Sequence, residues 1–327
     1  RTCLYYLASI MTDRKSILWL LLKLIILTFF FAPFIQSAWA LNEIMELYNA
    51  PQGLAMGNAL TADAEGYLAN YYNPAGLAKA RKRDWEVIPV SAEAIGSGFA
   101  YGQTIGEKTF GFYNLFGRLQ QNPGDLLYFR FNSVPAFTMR GFGFSLLASY
   151  QYAGQSDGTN VDVDASFDFG PTIGVATNLA GNMLKVGVAA KALLRNQLKG
   201  VFAHSALTGS DAAAALANEG WAVGADMGII LTLPYKFLPT FAIAWLDMLD
   251  TKFQRLKVLN NKASGAPDSI KESINAAFSF HPYLSYKLKT TFAFEMKHLE
   301  LPDLPLRKKA HFGFQLEDSE AFIFGPG

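Results

Sequence analysis

The sequence is poor in cysteine, in charge and, beyond residue 40, in long apolar runs. Each shortage closes a class of function. The only cysteine is Cys3, so a disulfide framework and a cysteine-built metal site are both excluded. Charged residues make up 17% of the 327, low for a soluble protein, and a net charge of +1 offers no basic field for nucleic acid. No run after residue 40 is long and apolar enough for a helix to cross a bilayer. Catalytic patterns are missing as well. The histidines at 204, 281, 298 and 311 are scattered, with no H-E-x-x-H and no G-x-S-x-G. Neither enzyme activity nor a metal or cofactor is expected.

What the chain does have is 27 Phe, 14 Tyr and 28 Gly, with hydrophobic residues at 51%. The apolar residues are spread one position in two rather than in blocks, as in strands with one apolar face.

The first forty residues read as a targeting segment. Arg14 and Lys15 precede the run ILWLLLKLIILTFFFAPFIQ, broken only by Lys23, which ends in S-A-W-A. Ala38 and Ala40 stand at signal-peptidase spacing, so a secretory signal peptide cleaved before Leu41 is expected. A permanent anchor is the alternative, since about 18–20 apolar residues could span a bilayer; the A-W-A end favours cleavage. Residues 1–10 precede Met11 and read as upstream sequence.

From about residue 85 onward the hydrophobic period is two. In 141–153, Phe142, Phe144, Leu146, Ala148, Tyr150 and Tyr152 alternate with Gly141, Gly143, Ser145, Leu147, Ser149 and Gln151. The stretch 284–297 repeats the pattern, Phe292, Phe294 and Met296 opposing Thr291, Glu295 and Lys297. Expected strands fall near 85–95, 97–105, 108–118, 125–138, 141–154, 163–179, 183–196, 219–233, 238–247, 272–281, 284–298, 309–317 and 320–325. Many are longer than the five or six residues usual in soluble sheets and long enough to cross a membrane at a tilt. Trp85, Tyr150, Tyr152, Trp221 and Trp245 lie toward strand ends, where interfacial girdles belong. A secreted β sandwich would also alternate, but with a more charged outer face and shorter strands. In a bilayer every backbone polar group must be paired internally, so such a sheet has to close. The expected fold is therefore all-β: an antiparallel transmembrane β-barrel of about 14 strands in a Gram-negative outer membrane. Thirteen strands is an odd count and the chain stops at AFIFGPG, so truncation at the C-terminus is expected.

Between leader and barrel lies LANYYNPAG, residues 68–76, which is neither an amphipathic helix nor a strand. Together with Gly57, Ala59 and Ala62-Asp63-Ala64, its Asn73-Pro74-Ala75-Gly76 resembles the N-terminal hatch of the FadL-like outer-membrane transport family. That family includes long-chain fatty-acid and aromatic-hydrocarbon channels and the PorV-type proteins of secretion systems. The segments GWAVGADMGIILTLP, SINAAFSFHP and KKAHFGFQLEDSEAFIFGPG resemble late strands of the PorV-type branch. The resemblance implies a fourteen-stranded barrel, residues 84–327, whose lumen is closed by a hatch at 41–83. It also implies that small hydrophobic molecules enter from outside and leave toward the periplasm or sideways through a gap in the wall. The shortness of the loops here leaves a structural, secretion-type or envelope-complex role open as the alternative. Expected partners are outer-membrane lipids, a small hydrophobic ligand or an envelope protein, and not nucleic acid.

Two tyrosines, Tyr71 and Tyr72, are expected to cover apolar lumen wall while their hydroxyls find polar partners. The charges expected to face the lumen are Arg130, Asp168, Lys185, Lys191, Arg195, Asp226, Lys287, Lys289, Glu295 and Lys297. They either line a path or pair across strands and with the hatch, because an isolated charge in a confined lumen is costly. The basic cluster Lys79, Arg81, Lys82 and Arg83 reads as a solvated turn at the membrane edge, or as a headgroup contact.

Overall fold

The computed structural model describes residues 44–96, 119–207, 214–282 and 288–318. The leader, the expected strands at 97–105, 108–118 and 320–325, Lys287 and the Lys289 side chain lie outside these residues. The chain opens with α1 (Pro51–Ala55), a 3-10 turn (Gly66–Leu68), α2 (Ala69–Tyr72) and a second 3-10 helix (Pro74–Lys79). Among the described residues thirteen strands follow: β1 (Asp84–Glu86), β2 (Val90–Gly96), β3 (Leu126–Ser133), β4 (Ala136–Met139), β5 (Phe142–Ser156), β6 (Asn160–Leu179) and β7 (Leu184–Ala203). The set continues with β8 (Asn218–Thr232), β9 (Thr240–Leu246), β10 (Gln254–Arg255), β11 (Ser273–Phe280), β12 (Leu288–Met296) and β13 (Ala310–Asp318), with α3 (Leu306–Lys309) before the last. All belong to one antiparallel sheet in the order β1-β4-β5-β6-β7-β8-β9-β11-β12-β13, with β2 and β3 beside β5 and β10 beside β8. Within the described residues no ladder joins β13 to β1 or β2.

Two expected strands are each broken once. The run 85–95 divides into β1 and β2 around Pro89, and 125–138 divides into β3 and β4 at Val134-Pro135. Proline lacks the N–H a ladder needs, and the two breaks face each other. The Val134 N–H donates to the Pro89 carbonyl at 3.2 Å, and the Leu146 N–H donates to the Pro135 carbonyl at 2.9 Å.

Side chains partition in the reverse of a soluble core. On β6 one face carries Ser166, Asp168, Thr172 and Gly174, all buried, while Phe169, Ile173 and Val175 on the other face are 41–49% exposed. On β8, Val223 is 62% exposed while the neighbouring Ala222 and Asp226 are buried. Rings pack across the outer wall, Phe280 stacked on Phe292 and Phe241 tilted against Phe278 and Phe292 against Phe314, with centroids 4.9–5.1 Å apart. Fully burying such a side chain is worth roughly 1.5–3 kcal/mol, so a continuous exposed face of them marks an interaction surface. Tyr152 departs from the expected girdle. It is buried at the far end of β5 in a cluster with Leu127, Val163, Leu198 and Leu207.

The two rims differ. One carries the tight turns at 140–141 and 180–183; the other carries the long connections 204–217 and 247–272. Residues 44–80 lie inside the curl of the sheet, and contacts from this segment run from β3 round to β13. The architecture is a β-barrel with an N-terminal segment in its lumen.

Candidate functional site

The NPAG turn sits on a row of wall glycines. Gly143 of β5 stands beside Gly174 of β6, and Gly187 of β7 stands beside Gly228 of β8. A Cβ added at Gly143 or Gly174 would strike Asn70 and Leu77; at Gly187 it would strike the Pro74–Ala75 peptide, and at Gly228 the Asn73 side chain. Four adjacent strands thus drop their side chains at one level, leaving room for the Asn70, Asn73 and Leu77 side chains and, at Gly187, for the Pro74–Ala75 peptide itself. Asn73 is extended, and its Oδ1 accepts from the Ala75 N–H at 3.1 Å to cap the helix that Pro74 opens. Its Nδ2 donates to the Thr61 carbonyl at 3.1 Å. Gly76 is small for a reason other than backbone freedom, since a Cβ there would meet the Ala64 carbonyl.

Tyr71 and Tyr72 are buried, at 8% and 3% exposure. The Tyr71 hydroxyl lies 3.0 Å from Ser145 Oγ on β5. The Tyr72 hydroxyl accepts from the Ala50 N–H at 2.9 Å and donates to Asn58 Oδ1 at 3.2 Å. Around them Tyr48, Met56, Leu60 and Leu68 join Leu147 of β5, Leu193 of β7 and Phe253 in one apolar cluster, and Ala62 and Ala75 join Ile230, Ala242 and Ala277 in a smaller one.

The earlier part of the segment is held by charge. Thr61 donates its N–H and its hydroxyl to Glu295, at 2.9 and 2.6 Å. Lys297 Nζ reaches Glu46 at 2.7 Å and lies 5.6 Å from the centre of the Tyr72 ring. Arg130 donates to the Glu46 carbonyl at 3.0 Å and to Gln151 at 2.7 Å. Asp63 accepts from Ser279 at 3.1 Å and lies 2.8 Å from His281 Nε2. Burial pushes the Glu46 carboxyl up, but the Lys297 ammonium beside it overcomes this and holds it below its ordinary value. Burial likewise pushes Asp63 up, and the His281 bond with the Lys79 charge brings it below.

Toward the long-loop rim the wall charges pair with one another. Arg195 of β7 grips Asp168 of β6 with two bonds, at 2.6 and 3.0 Å, and stacks 5.1 Å over the Phe253 ring. Lys191 reaches Asp226 of β8 at 3.0 Å and Asp247 at 2.9 Å. Asp247 also accepts from Thr251, at 2.6 Å, so the piece of chain after β9 turns inward. Lys185 sits at the opposite rim and donates to the Asn182 carbonyl at 2.8 Å. Of the basic cluster, Arg81, Lys82 and Arg83 are exposed, while Lys79 donates to the Ala62 carbonyl at 2.7 Å.

Sequence reasoning missed Glu46, Thr61, Asp247 and the glycine row; it placed Asp63 in the hatch and named His281 as a scattered histidine, without pairing the two. The row had a signal, since all four glycines fall on polar-face positions of successive strands. Glu46 and Thr61 had none, because their partners lie more than 200 residues away. Among the described residues no group of acidic, histidine or cysteine side chains is arranged to hold a metal ion.

No protein-family model matches the chain, and no curated protein matches its sequence. Among solved structures it is similar to the toluene transporter TodX of Pseudomonas putida, at 11% identity, over 83% of this chain and 89% of that chain, with a TM-score of 0.39. A likeness of this size assigns no function.

Proposed function

We propose that the chain is a barrel of a Gram-negative outer membrane that binds or passes small hydrophobic molecules, with residues 44–80 as the gate. The observation that carries this reading is the apolar cluster of Tyr48, Met56, Leu68, Tyr71 and Tyr72 with Phe253, set inside a lumen lined by ion pairs. A smaller apolar patch joins Ala62 and Ala75 of the segment to Ile230, Ala242 and Ala277 of the wall. A greasy zone between plug and wall gives an apolar guest somewhere to partition as the gate loosens. The outward apolar face supports the membrane location, since in hydrocarbon that face needs no cover and the paired backbone of the sheet leaves little unsatisfied.

A second reading rests on the density of bonds between segment and wall: the barrel is a sealed anchor for an envelope or secretion partner. Both readings meet one experiment. The detergent-extracted, heat-modifiable barrel is titrated by calorimetry with a monocyclic aromatic hydrocarbon and with a long-chain fatty acid, as wild type and as Glu295→Ala. Saturable binding that strengthens when the gate is loosened supports passage. Absence of binding in both forms overturns it and leaves the anchor.

A further inference from the structure

β9 and β10 lie along the same edge of β8, but the wall between them is interrupted. Met227 of β8 stands beside Trp245 and Trp221 beside Gln254, so six steps along β8 are matched by nine along its neighbour. The surplus forms a bulge, residues 247–253. Among the described residues the paired ladder on this edge lapses between Trp221 and Met227, although the Met248 N–H still reaches the Ala225 carbonyl at 2.9 Å.

A bulge bends its strand and re-aims side chains, and this one aims them into the lumen. Asp247, Thr251 and Phe253 are buried, while Leu249 between them is 77% exposed. Like the NPAG turn, the bulge has a glycine seat. A Cβ added at Gly224 of β8 would strike Thr251 Oγ1, four positions from the Gly228 that receives Asn73. Phe253 joins the apolar cluster of Tyr48, Tyr71, Leu193 and Ala222, and Ile270, whose backbone pairs with Thr251, packs against it. Two pieces of chain thus meet around the cluster. The helix after Pro74 lies on the tight-turn side, where the Leu77 carbonyl accepts from the Gly141 N–H at 3.1 Å, and the bulge lies on the long-loop side.

The backbone of the bulge is strained. Asp247, Leu249 and Asp250 have φ of 51°, 64° and 63°, in the left-handed region that non-glycine residues seldom adopt. Such strain persists only where surrounding contacts impose it, and it gathers at clamps and switches. The contacts here are ionic and hydrogen-bonded. Asp247 meets Lys191 at 2.9 Å, donates its N–H to Asp226 at 2.6 Å and accepts from the Thr251 hydroxyl at 2.6 Å. Asp250 accepts from Lys271 and from the Glu272 N–H, both at 3.0 Å.

We propose that residues 247–253 are a second gate on the long-loop side of the apolar cluster, closed when Lys191 holds Asp247 and open when that bond is released. The proposal rests on the reading of the cluster as the site of an apolar guest. Phe253 is then a contact residue for the guest, and Lys191 and Asp247 are positioning residues. A strand that served only as wall would stay on the β8 ladder, whose bonds are given up here for a strained course over the lumen. The latch is also built to let go. On release Asp247 passes to water while Lys191 keeps Asp226 at 3.0 Å, so no buried cation is left without a partner.

The test uses the full chain, purified in mild detergent and equilibrated with fluorobenzene, whose exchange between bound and detergent-dissolved pools is read by fluorine exchange NMR. Asp247→Asn keeps the shape of the latch but removes its charge, and is expected to speed exchange at least about fivefold, as loss of a hydrogen bond between charged groups implies. In the pair Gly224→Cys, Thr251→Cys, carried on Cys3→Ser, oxidation should fasten the bulge to β8 and stop exchange, and reduction should restore it. Exchange in the oxidised pair as fast as in the reduced pair, or no faster in Asp247→Asn than in wild type, overturns the second gate. Heat-modifiable migration is read on every variant, and if the cysteine pair lacks it the Asp247→Asn rate decides alone. A heat-modifiable wild type that binds no fluorobenzene, even as Glu295→Ala, defeats the guest site and the gate with it. Binding with exchange that ignores the bulge defeats the gate alone.

Discussion

Thr61 gives both its backbone N–H and its hydroxyl to the carboxylate of Glu295, and neither residue is reached by solvent. The two are 234 positions apart in the chain. Removing the acceptor strands two buried donors, which costs about 2–3 kcal/mol. Glu295→Ala is expected to lower the unfolding free energy measured in urea by that amount, and Glu295→Gln, which keeps an acceptor, by less. Equal losses in the two variants would show that the bonds to Thr61 are not the cause.

The glycine row predicts a steric outcome. A valine at Gly228 meets the Asn73 side chain and one at Gly187 meets the Pro74–Ala75 peptide, where neither backbone has room to retreat. Each substitution is expected to cost about 1–3 kcal/mol and to expose residues 68–79 to proteolysis in a barrel that still migrates as folded. Val223→Ala, on the outer face, is the comparison and should leave that segment protected.

Glu46 and Asp63 give the hold on residues 44–80 a dependence on pH. Their carboxyls are held below ordinary values in the folded protein, so their contribution is present above the ordinary carboxylate range and is lost as pH falls through the lower, folded values. Proteolysis of the segment should therefore quicken on acidification below the ordinary carboxylate range, and Glu46→Gln should flatten part of that rise. A rate independent of pH across the acid range would contradict this.

Lys191 stands between Asp226 and Asp247. Lys191→Met leaves two buried carboxylates facing each other without a cation, a loss of about 3–5 kcal/mol. Adding Asp226→Asn and Asp247→Asn to the same chain should recover much of it, because no uncompensated charge then remains. The urea midpoints of the single and triple variants decide the point.

How far these features were legible in the sequence follows from their range. Phe169, Ile173 and Val175 alternate with Asp168, Thr172 and Gly174 within a few residues, so the division of β6 into an apolar and a polar face is written locally. The breaks at Pro89 and Pro135 were equally local, because a proline removes its own ladder donor, yet a hydrophobic period alone runs straight through them. By contrast, that Lys191 meets Asp226 depends on the register between β7 and β8, and that it also meets Asp247 depends on the chain turning inward after β9.

The sequence by itself determined that this chain forms antiparallel strands with one greasy and one polar face, and that the Asn73-Pro74 turn belongs to neither. Period and turn chemistry act between near neighbours and need no fold to operate. Only the tertiary structure decided which of the inward charges meet one another, that four glycines from separate strands make one seat, and that Glu46, Thr61 and Asp63 are tied to residues more than 200 positions away. Those are matters of register and curvature, which set distances between residues whose separation along the chain says nothing of where they meet.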